Sequence, residues 1–201
     1  MATSTAADRL FTLLRKEPID AAEVAAFLDG LSPADRMTAV TALDGPVLQG
    51  RLWDAVQSTP TVQLSDLVPP DAPPLREVIW EGKNSLPMFS RFQKRFCRPS
   101  RVHDQDQLWG YNHQTLSWLT GPGYFVCHRE GAAPAAIDYR RVPPEHPPGW
   151  PGIRENHRGA SFFVYRNMVD YLRRVSRHVL IGRATRQGKE LPNYFLLCRE
   201  G

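Results

Sequence analysis

The chain has 201 residues, enough for one large domain or for a small domain beside a larger one. Hydrophobic residues make up 42% of it and aromatic residues 10%, which excludes a disordered chain. The three cysteines are an odd number without a Cys-X-X-Cys pair, so neither a disulfide framework nor a cysteine zinc site is expected. The sequence shows no signal peptide and no run of ~20 apolar residues. We therefore expect a cytoplasmic protein without a transmembrane segment.

The net charge of +4 is unevenly distributed along the chain. Residues 1–57 hold five basic and eight acidic side chains, so this segment is acidic and the remainder is strongly basic. Such asymmetry fits an anionic partner for the second part of the chain. It fits equally well a protein whose acidic helices pack on its own basic barrel. The charge pattern leaves both interpretations open.

Residues 1–57 carry the start and stop signals of short helices. Leu10, Leu13 and Leu14 share one helical face. Asp20-Ala-Ala-Glu23 has the form of a capping box, and Ser32-Pro33 is typical of the start of another helix. Because the connections are short, these helices are expected to form a small cap or bundle. The prolines of residues 58–75 then predict an extended linker.

Residues 86–101 are the most basic stretch. Phe89, Phe92 and Phe96 recur at helical spacing, which predicts a helix with an aromatic face. The opposite side of this helix would carry Arg91, Lys94, Arg95 and Arg98. Such a helix either packs its aromatic face on a core or docks an anionic lipid or acidic protein surface through its basic face. Nucleic acid is a disfavoured partner, because the remaining aromatic residues do not alternate with basic ones as stacking platforms require.

From residue 76 onwards, short apolar and aromatic runs alternate with glycine and proline turns. The predicted strands are 78–80, 108–112, 115–119, 124–128, 136–140, 160–166, 177–185 and 193–199. Gly188 is expected to adopt a positive φ in the last hairpin, residues 168–175 are predicted to form a short helix, and the proline-rich residues 142–151 an ordered loop. The predicted fold class is α+β. A helical cap over residues 1–57 precedes, over residues 76–201, an antiparallel β-barrel or strongly curved sheet of about eight strands.

Residues 154–199 resemble the C-terminal part of an uncharacterised bacterial domain family named for a Gly-X-Trp-X-Gly motif. The matching residues are Arg158-Gly159, Ser161, Val164-Tyr165, Asp170, Arg173, Val175, Gly182, Gly188, Tyr194-Phe195 and Arg199. Trp80-Glu81-Gly82 matches part of the naming motif, with Val78 in place of its first glycine. The resemblance implies a small antiparallel barrel of the lipocalin-like type, and it implies no particular activity.

Aromatic residues on both faces of the strands predict a cavity for a hydrophobic or amphipathic small molecule. The candidate ligand-binding residues are Trp80, Lys83, Trp109, Tyr111, Trp118, Tyr124, Arg140, Tyr165 and His178. The alternative is a cofactor-free isomerase or cyclase in the same cavity, with His113, Asp138 or Tyr139 as proton donor or acceptor. Neither hypothesis invokes a metal or a cofactor, since no motif for one is present. Titratable groups that converge inside the cavity would favour the enzyme over the carrier.

Overall fold

The computed structural model describes residues 5–86, 90–101, 104–114, 121–129, 135–153 and 165–199. Within these residues, five helices come first and eight strands follow. The helices are α1 (Ala6–Arg15), α2 (Ala21–Asp29), α3 (Pro33–Thr41), α4 (Pro46–Ala55) and α5 (Leu64–Leu67). The strands are β1 (Val78–Asn84), β2 (Arg91–Cys97), β3 (Gln107–His113), β4 (Tyr124–His128), β5 (Ala136–Asp138), β6 (Met168–Arg174), β7 (Val179–Arg186) and β8 (Lys189–Cys198).

The strands form a closed barrel. Each strand pairs antiparallel with the next one in the chain, and β8 closes the barrel by pairing with β1. The predicted fold class, a helical cap followed by an antiparallel barrel of eight strands, is therefore confirmed. Because successive side chains of a strand point to opposite faces, every strand contributes alternately to the interior and the exterior of the barrel.

One end of the barrel is closed by α5. Leu67 joins the core inside the barrel, and its carbonyl oxygen accepts a hydrogen bond from Trp80 Nε1 at 3.0 Å. An ion pair between Asp66 and Arg174 holds α5 to β6. The predicted linker, residues 58–75, thus contains a one-turn helix that plugs the barrel. The prolines on either side of this helix obscured it in the sequence.

A second core lies between α1–α4 and the outer face of β7 and β8. Leu14 and Leu28 from the helices belong to it together with Ile181 and Leu196 from the strands, and none of these side chains is more than 1% exposed. The helices begin where the sequence predicts, with side-chain caps at Asp20 and Ser32. The cap therefore covers the outer surface of two strands and leaves the barrel interior separate.

The helix predicted over residues 86–101 is wrong. Arg91–Cys97 is β2, which pairs with β1 and β3. Phe92 and Phe96 are four residues apart, and this spacing places two side chains on one face of a helix or on one face of a strand. In the strand, Lys94 lies between them on the inner face. A helix would have placed it on the opposite side from the phenylalanines.

The helix predicted over residues 168–175 is also wrong, since Met168–Arg174 is β6 and pairs with β5 and β7. Asp170 and Leu172 are two residues apart and face the barrel interior. The pairing of β6 with β5 and β7 overrides the helical spacing of its apolar residues. Several predicted features lie outside the described residues, namely Phe89, the strand 115–119 with Trp118, and most of the strand 160–166.

The structure differs from the prediction at one predicted turn and agrees with it at another. β1 continues from the predicted strand 78–80 through the predicted turn to Asn84, and it pairs with β2 from Val78 to Lys83. The last hairpin turns at Gln187 and Gly188, whose φ angles are 54° and 76°. The positive φ predicted for Gly188 is confirmed. Residues 142–151 form an irregular loop, as their prolines predict.

Candidate functional site

Three inward-facing glycines shape the inner wall of the barrel. Each lies opposite a phenylalanine of the neighbouring strand, in the pairs Gly82–Phe92, Gly110–Phe125 and Gly182–Phe195. A Cβ atom on any of these glycines would overlap the ring of its partner. The rings therefore lie over the glycine backbone, against the wall of the barrel. These glycine–phenylalanine pairs leave room inside the barrel for polar side chains and for a cavity.

Four buried polar side chains meet inside the barrel, and we call them the Lys94 cluster: Lys94, Asn112, Tyr139 and Asp170. None is more than 5% exposed. Lys94 Nζ donates hydrogen bonds to Asn112 Oδ1 at 3.0 Å, to Asp170 Oδ2 at 3.3 Å and to the Tyr139 hydroxyl. The Tyr139 hydroxyl donates to Asp170 Oδ2 at 3.3 Å and accepts from Asn112 Nδ2 at 2.9 Å. Barrel closure brings these residues together from β2, β3, the end of β5 and β6.

Aromatic rings surround the amine of Lys94. The distances from Nζ to the ring centroids are 4.7 Å for Phe195, 5.1 Å for Tyr139, 5.3 Å for Phe125 and 5.5 Å for Phe92. Rings within about 6 Å attract a cation through their π faces. The three phenylalanines are those of the glycine–phenylalanine pairs, so the same pairs that shape the wall also enclose the amine.

Burial changes the acidity of the cluster. It lowers the pKa of the Lys94 ammonium against the opposing attraction of Asp170. Burial raises the pKa of the Asp170 carboxyl, although the charge and hydrogen bond of Lys94 oppose the change. Burial, together with the charge of Asp170, also raises the pKa of Tyr139 well above its usual value. The amine and the carboxyl are thus closer in proton affinity than the same groups in water.

The Lys94 cluster lines a cavity of about 220 Å³. The rest of the lining is mostly apolar or aromatic and includes Phe92, Tyr165, Met168, Ala184, Leu191 and Phe195. The exposed side chains of Leu86 and Arg186 lie at its rim, at the ends of strands opposite α5. A cavity of about 150 Å³ in another protein binds benzene, so this one has room for a somewhat larger molecule.

One acceptor of the cluster receives no hydrogen bond from any described residue. Asp170 Oδ1 is buried and has no partner in the part of the chain that the structure describes. A buried carboxylate oxygen without a donor costs free energy, because it has lost the hydrogen bonds that water would provide. Asp170 lines the cavity, so a bound molecule with an O–H or N–H group could supply the missing donor.

Two residues that the sequence predicted as catalytic or ligand-binding line this cavity. Tyr139, predicted as catalytic, belongs to the Lys94 cluster. Tyr165, predicted as ligand-binding, stacks on Tyr139 with 5.0 Å between ring centroids and 19° between ring planes. Its hydroxyl accepts a hydrogen bond from Gln114 Nε2 at 3.1 Å.

The other two predicted catalytic residues face away from the cavity. His113 is exposed on the outer side of β3, with its ring edge-to-face against Tyr111. Asp138 points outward from β5 and forms an ion pair with Arg140, whose Nη2 lies 2.8 Å from Asp138 Oδ2. Alternation along the strand sends Asp138 outward because Tyr139 points inward. His113, Asp138 and Arg140 therefore do not lie in the cavity where the sequence placed them.

Three more predicted ligand-binding residues lie elsewhere. Trp80 is inside the barrel but at the end closed by α5, where its indole N–H donates a hydrogen bond to the carbonyl oxygen of Leu67. Lys83 points outward from β1 to an ion pair with Asp44. His178 lies in the turn between β6 and β7, outside the barrel interior. None of the three lines the cavity.

The predicted residues Trp109, Tyr111 and Tyr124 face outward as well. They form a core with Trp150 of the proline-rich loop, and Tyr111 lies 4.7 Å from Trp150 between ring centroids. The loop covers the outer face of β3 and β4, so these strands are buried on both faces. The aromatic residues therefore predicted buried strands correctly. The prediction placed these rings inside the barrel, whereas they lie on its outer face. Trp118 lies outside the described residues.

The four residues predicted to dock an anionic partner do not form one basic surface. Lys94 is inside the barrel, whereas Arg91 is exposed on its outside. Arg95 Nη1 is paired with Glu77 at 3.1 Å, and Arg98 donates to the carbonyl oxygen of Pro70. The predicted basic helix is wrong because Arg91–Cys97 is a strand. The docking of an anionic partner, which depends on that helix, stays a prediction that has lost its structural basis.

The sequence reasoning missed Asn112 and Asp170 and misplaced Lys94. Their only sequence signal is the alternation of faces along a strand. Lys94 shares a face with Phe92 and Phe96, and Asp170 shares one with Met168 and Leu172. Asn112 shares its face with Gly110 and Leu108. That signal is readable only after the strand is recognised.

Within the described residues, no group of three or more His, Cys, Asp and Glu side chains could hold a metal ion. No helix of the described chain is both long and apolar enough to cross a membrane. Comparisons with protein-family models, curated proteins and solved structures gave no match to this chain. The resemblance of residues 154–199 to the Gly-X-Trp-X-Gly family therefore stays a prediction.

Proposed function

We propose that the barrel binds a small amphipathic molecule, with its polar end at the Lys94 cluster and its apolar body among the aromatic side chains. The observation that carries this proposal is Asp170 Oδ1, which lies on the lining of the cavity and has no hydrogen-bond partner among the described residues. Closed barrels of about eight strands are wide enough for one small ligand. A pocket with apolar walls and a few convergent polar groups is the usual form of a small-molecule site.

The charges of the cluster favour an uncharged polar group on the ligand. Lys94 and Asp170 lie 3.3 Å apart and offset each other's charge. A ligand carboxylate would add a third buried charge without a partner of its own, which is costly. A hydroxyl, carbonyl or amide group would instead exchange hydrogen bonds with Asp170, Tyr139 and Asn112.

Acid–base catalysis in the same cavity is the second candidate function. It is favoured by the convergence of Lys94, Tyr139 and Asp170 within hydrogen-bond reach of one another. Tyr139 would donate a proton and Asp170 would accept one, as in an isomerase or cyclase without a cofactor. Tyr139→Phe separates the two functions, since it removes the donor but keeps the ring: a carrier would retain its ligand, and an enzyme would lose turnover.

The binding proposal is tested by filling the cavity. Ala184 lines it and is buried, so Ala184→Phe would occupy the space of the ligand without changing the Lys94 cluster. Ile79→Phe is the control, because Ile79 is 38% exposed on the outer face of β1. Native mass spectrometry would search the freshly purified wild type for a co-purified molecule, and thermal unfolding would measure stabilisation by added benzyl alcohol.

We expect binding by the wild type and by Ile79→Phe, and no binding by Ala184→Phe. Equal stabilisation of all three proteins by benzyl alcohol would place the ligand outside the cavity and contradict the proposal.

A further inference from the structure

The position of Lys94 differs from that of the other lysines. The chain has four lysines. Lys16 and Lys83 form ion pairs with Glu23 and Asp44 outside the barrel interior, although Lys83 is itself buried, and Lys189 is exposed in the last hairpin. Lys94 alone among the four lines a cavity of the barrel, with its side chain 2% exposed.

We infer that Lys94 Nζ is a nucleophile that condenses with the aldehyde or ketone group of the molecule bound in the cavity and holds it as an imine. This inference rests on the proposed function, since the carbonyl compound must first occupy the cavity. It narrows the ligand class to carbonyl compounds somewhat larger than benzene.

The geometry provides each group that the condensation needs. Nζ faces the cavity and is held by three acceptors, so its position does not depend on the ligand. The Tyr139 hydroxyl contacts Nζ directly, and Asn112 Nδ2 orients that hydroxyl from 2.9 Å. A carbonyl carbon within reach of Nζ would therefore have its oxygen near a hydrogen-bond donor.

Imine formation requires a neutral amine, and Asp170 is placed to take the proton. Its Oδ2 lies 3.3 Å from Nζ. Transfer of one proton converts the ammonium–carboxylate pair into a neutral amine and a carboxylic acid. Burial favours this direction, because it lowers the pKa of Lys94 and raises that of Asp170.

The reaction balances with the groups present. The Nζ lone pair forms a bond to the carbonyl carbon, while the carbonyl oxygen takes the Asp170 proton through the Tyr139 hydroxyl. The nitrogen then returns one proton to the Asp170 carboxylate, which leaves a neutral carbinolamine. The carbinolamine hydroxyl departs as water with the Asp170 proton as the nitrogen lone pair forms the C=N bond. The products are one water molecule and a protonated imine paired with the Asp170 carboxylate, and hydrolysis reverses every step.

Cys127 is another nucleophilic side chain of the barrel core, and it does not compete. Burial raises the pKa of its thiol to about 12, although the charge of Lys94 opposes this. The thiolate, the reactive form, is therefore scarce at neutral pH.

The test is reductive trapping of the full chain with benzaldehyde and sodium cyanoborohydride. Benzaldehyde suits the cavity volume and cannot enolise. Digestion and mass spectrometry would measure the benzyl group on each lysine as a function of time. We expect Lys94 to be labelled about tenfold faster than Lys189 in the folded protein, because its lowered pKa leaves the amine neutral more often and because it lies beside the bound aldehyde. In urea this preference should disappear.

Two variants complete the test. Lys94→Met should lose the fast label, whereas Lys189→Arg, which removes an exposed amine, should keep it. If Lys94→Met does not fold, the comparison of Lys94 with Lys189 in folded and unfolded wild type still decides the matter. Labelling of Lys16 and Lys189 with Lys94 unmodified would overturn the inference.

Benzyl alcohol distinguishes failure of this inference from failure of the proposed function. It has the size of benzaldehyde but no carbonyl group. Stabilisation by benzyl alcohol without trapping at Lys94 would overturn the imine and leave the binding function standing. Neither stabilisation nor trapping would overturn both.

Discussion

Lys94 Nζ lies 3.3 Å from Asp170 Oδ2 inside the barrel, although the two residues are 76 positions apart in the chain. Each is the only oppositely charged partner of the other among the described ion pairs. Because both side chains are buried, neither can regain its hydrogen bonds to water when the other is removed. The contributions of Lys94 and Asp170 to the free energy of unfolding are consequently coupled.

Removing one member of this pair should cost more than removing both. For Asp170→Leu we expect the free energy of unfolding to fall by about 3–5 kcal/mol, because the amine of Lys94 stays buried without a carboxylate. The double variant Lys94→Met with Asp170→Leu should recover most of that loss. Urea denaturation of the wild type, both single variants and the double variant measures the coupling. Additive losses would show that the pair is not coupled.

The glycine–phenylalanine pairs predict an effect of adding one methyl group. Gly182→Ala would press its Cβ into the ring of Phe195 and push the ring toward the cavity. We expect a loss of about 1–3 kcal/mol in the free energy of unfolding and weaker binding of benzyl alcohol. Gly152→Ala is the matched control, since a Cβ there meets no atom within 4 Å. Equal effects of the two substitutions would contradict the close packing at Gly182.

Two outward-facing isoleucines test the contact between the helical cap and the barrel. Ile181 is 0% exposed beneath the helices, whereas Ile79 is 38% exposed on β1. Ile181→Ala should lower the free energy of unfolding by about 2–5 kcal/mol, because it leaves a cavity between the cap and β7. Ile79→Ala should change it by no more than about 0.5 kcal/mol. Chemical denaturation provides both values, and a small effect at Ile181 would mean that the cap does not stabilise the barrel.

The lowered pKa of His178 predicts that the free energy of unfolding decreases in mild acid. Burial lowers the pKa of His178 below the ordinary 6.5. The positive charges of Arg36, Arg199 and Arg177 lower this pKa further, and the negative charge of Asp29 opposes them only in part. The unfolded chain therefore binds a proton at this histidine more readily than the folded protein. As the pH falls through 6.5 toward the folded-state pKa, the free energy of unfolding should decrease.

The His178→Gln variant should show a smaller decrease over the same pH range. Urea denaturation at a series of pH values measures the difference between the two proteins. Parallel curves for the wild type and the variant would assign the pH dependence to other groups.

The fold could be predicted because its signals are local. Alternation of apolar residues, glycine turns and the caps at Asp20 and Ser32 each act within a few residues. The candidate site was hidden by two errors of the same kind. Lys94 and Asp170 both lie in segments predicted as helices, and each error removed one member of the pair from the barrel interior. A spacing of four residues, as between Phe92 and Phe96, does not distinguish the two structures.

The outward aromatic core illustrates a second limit. Trp109 and Tyr111 alternate with Leu108 and Gly110 along β3, and both sets are buried. The inner set faces the barrel and the outer set lies beneath the loop that contains Trp150. Which set faces a cavity depends on tertiary packing, and no local pattern of β3 encodes it.

The glycine–phenylalanine pairs also bear on how this scaffold could diversify. At positions 82, 110 and 182 a hydrogen atom stands where every other amino acid carries carbon. In the proposed binding mode, substitutions at these glycines would push the phenylalanine rings toward the cavity and shorten the space for a ligand without replacing any residue of the Lys94 cluster. A lineage could thus change the size of the molecule that it accepts while the imine proposed at Lys94 stays the same.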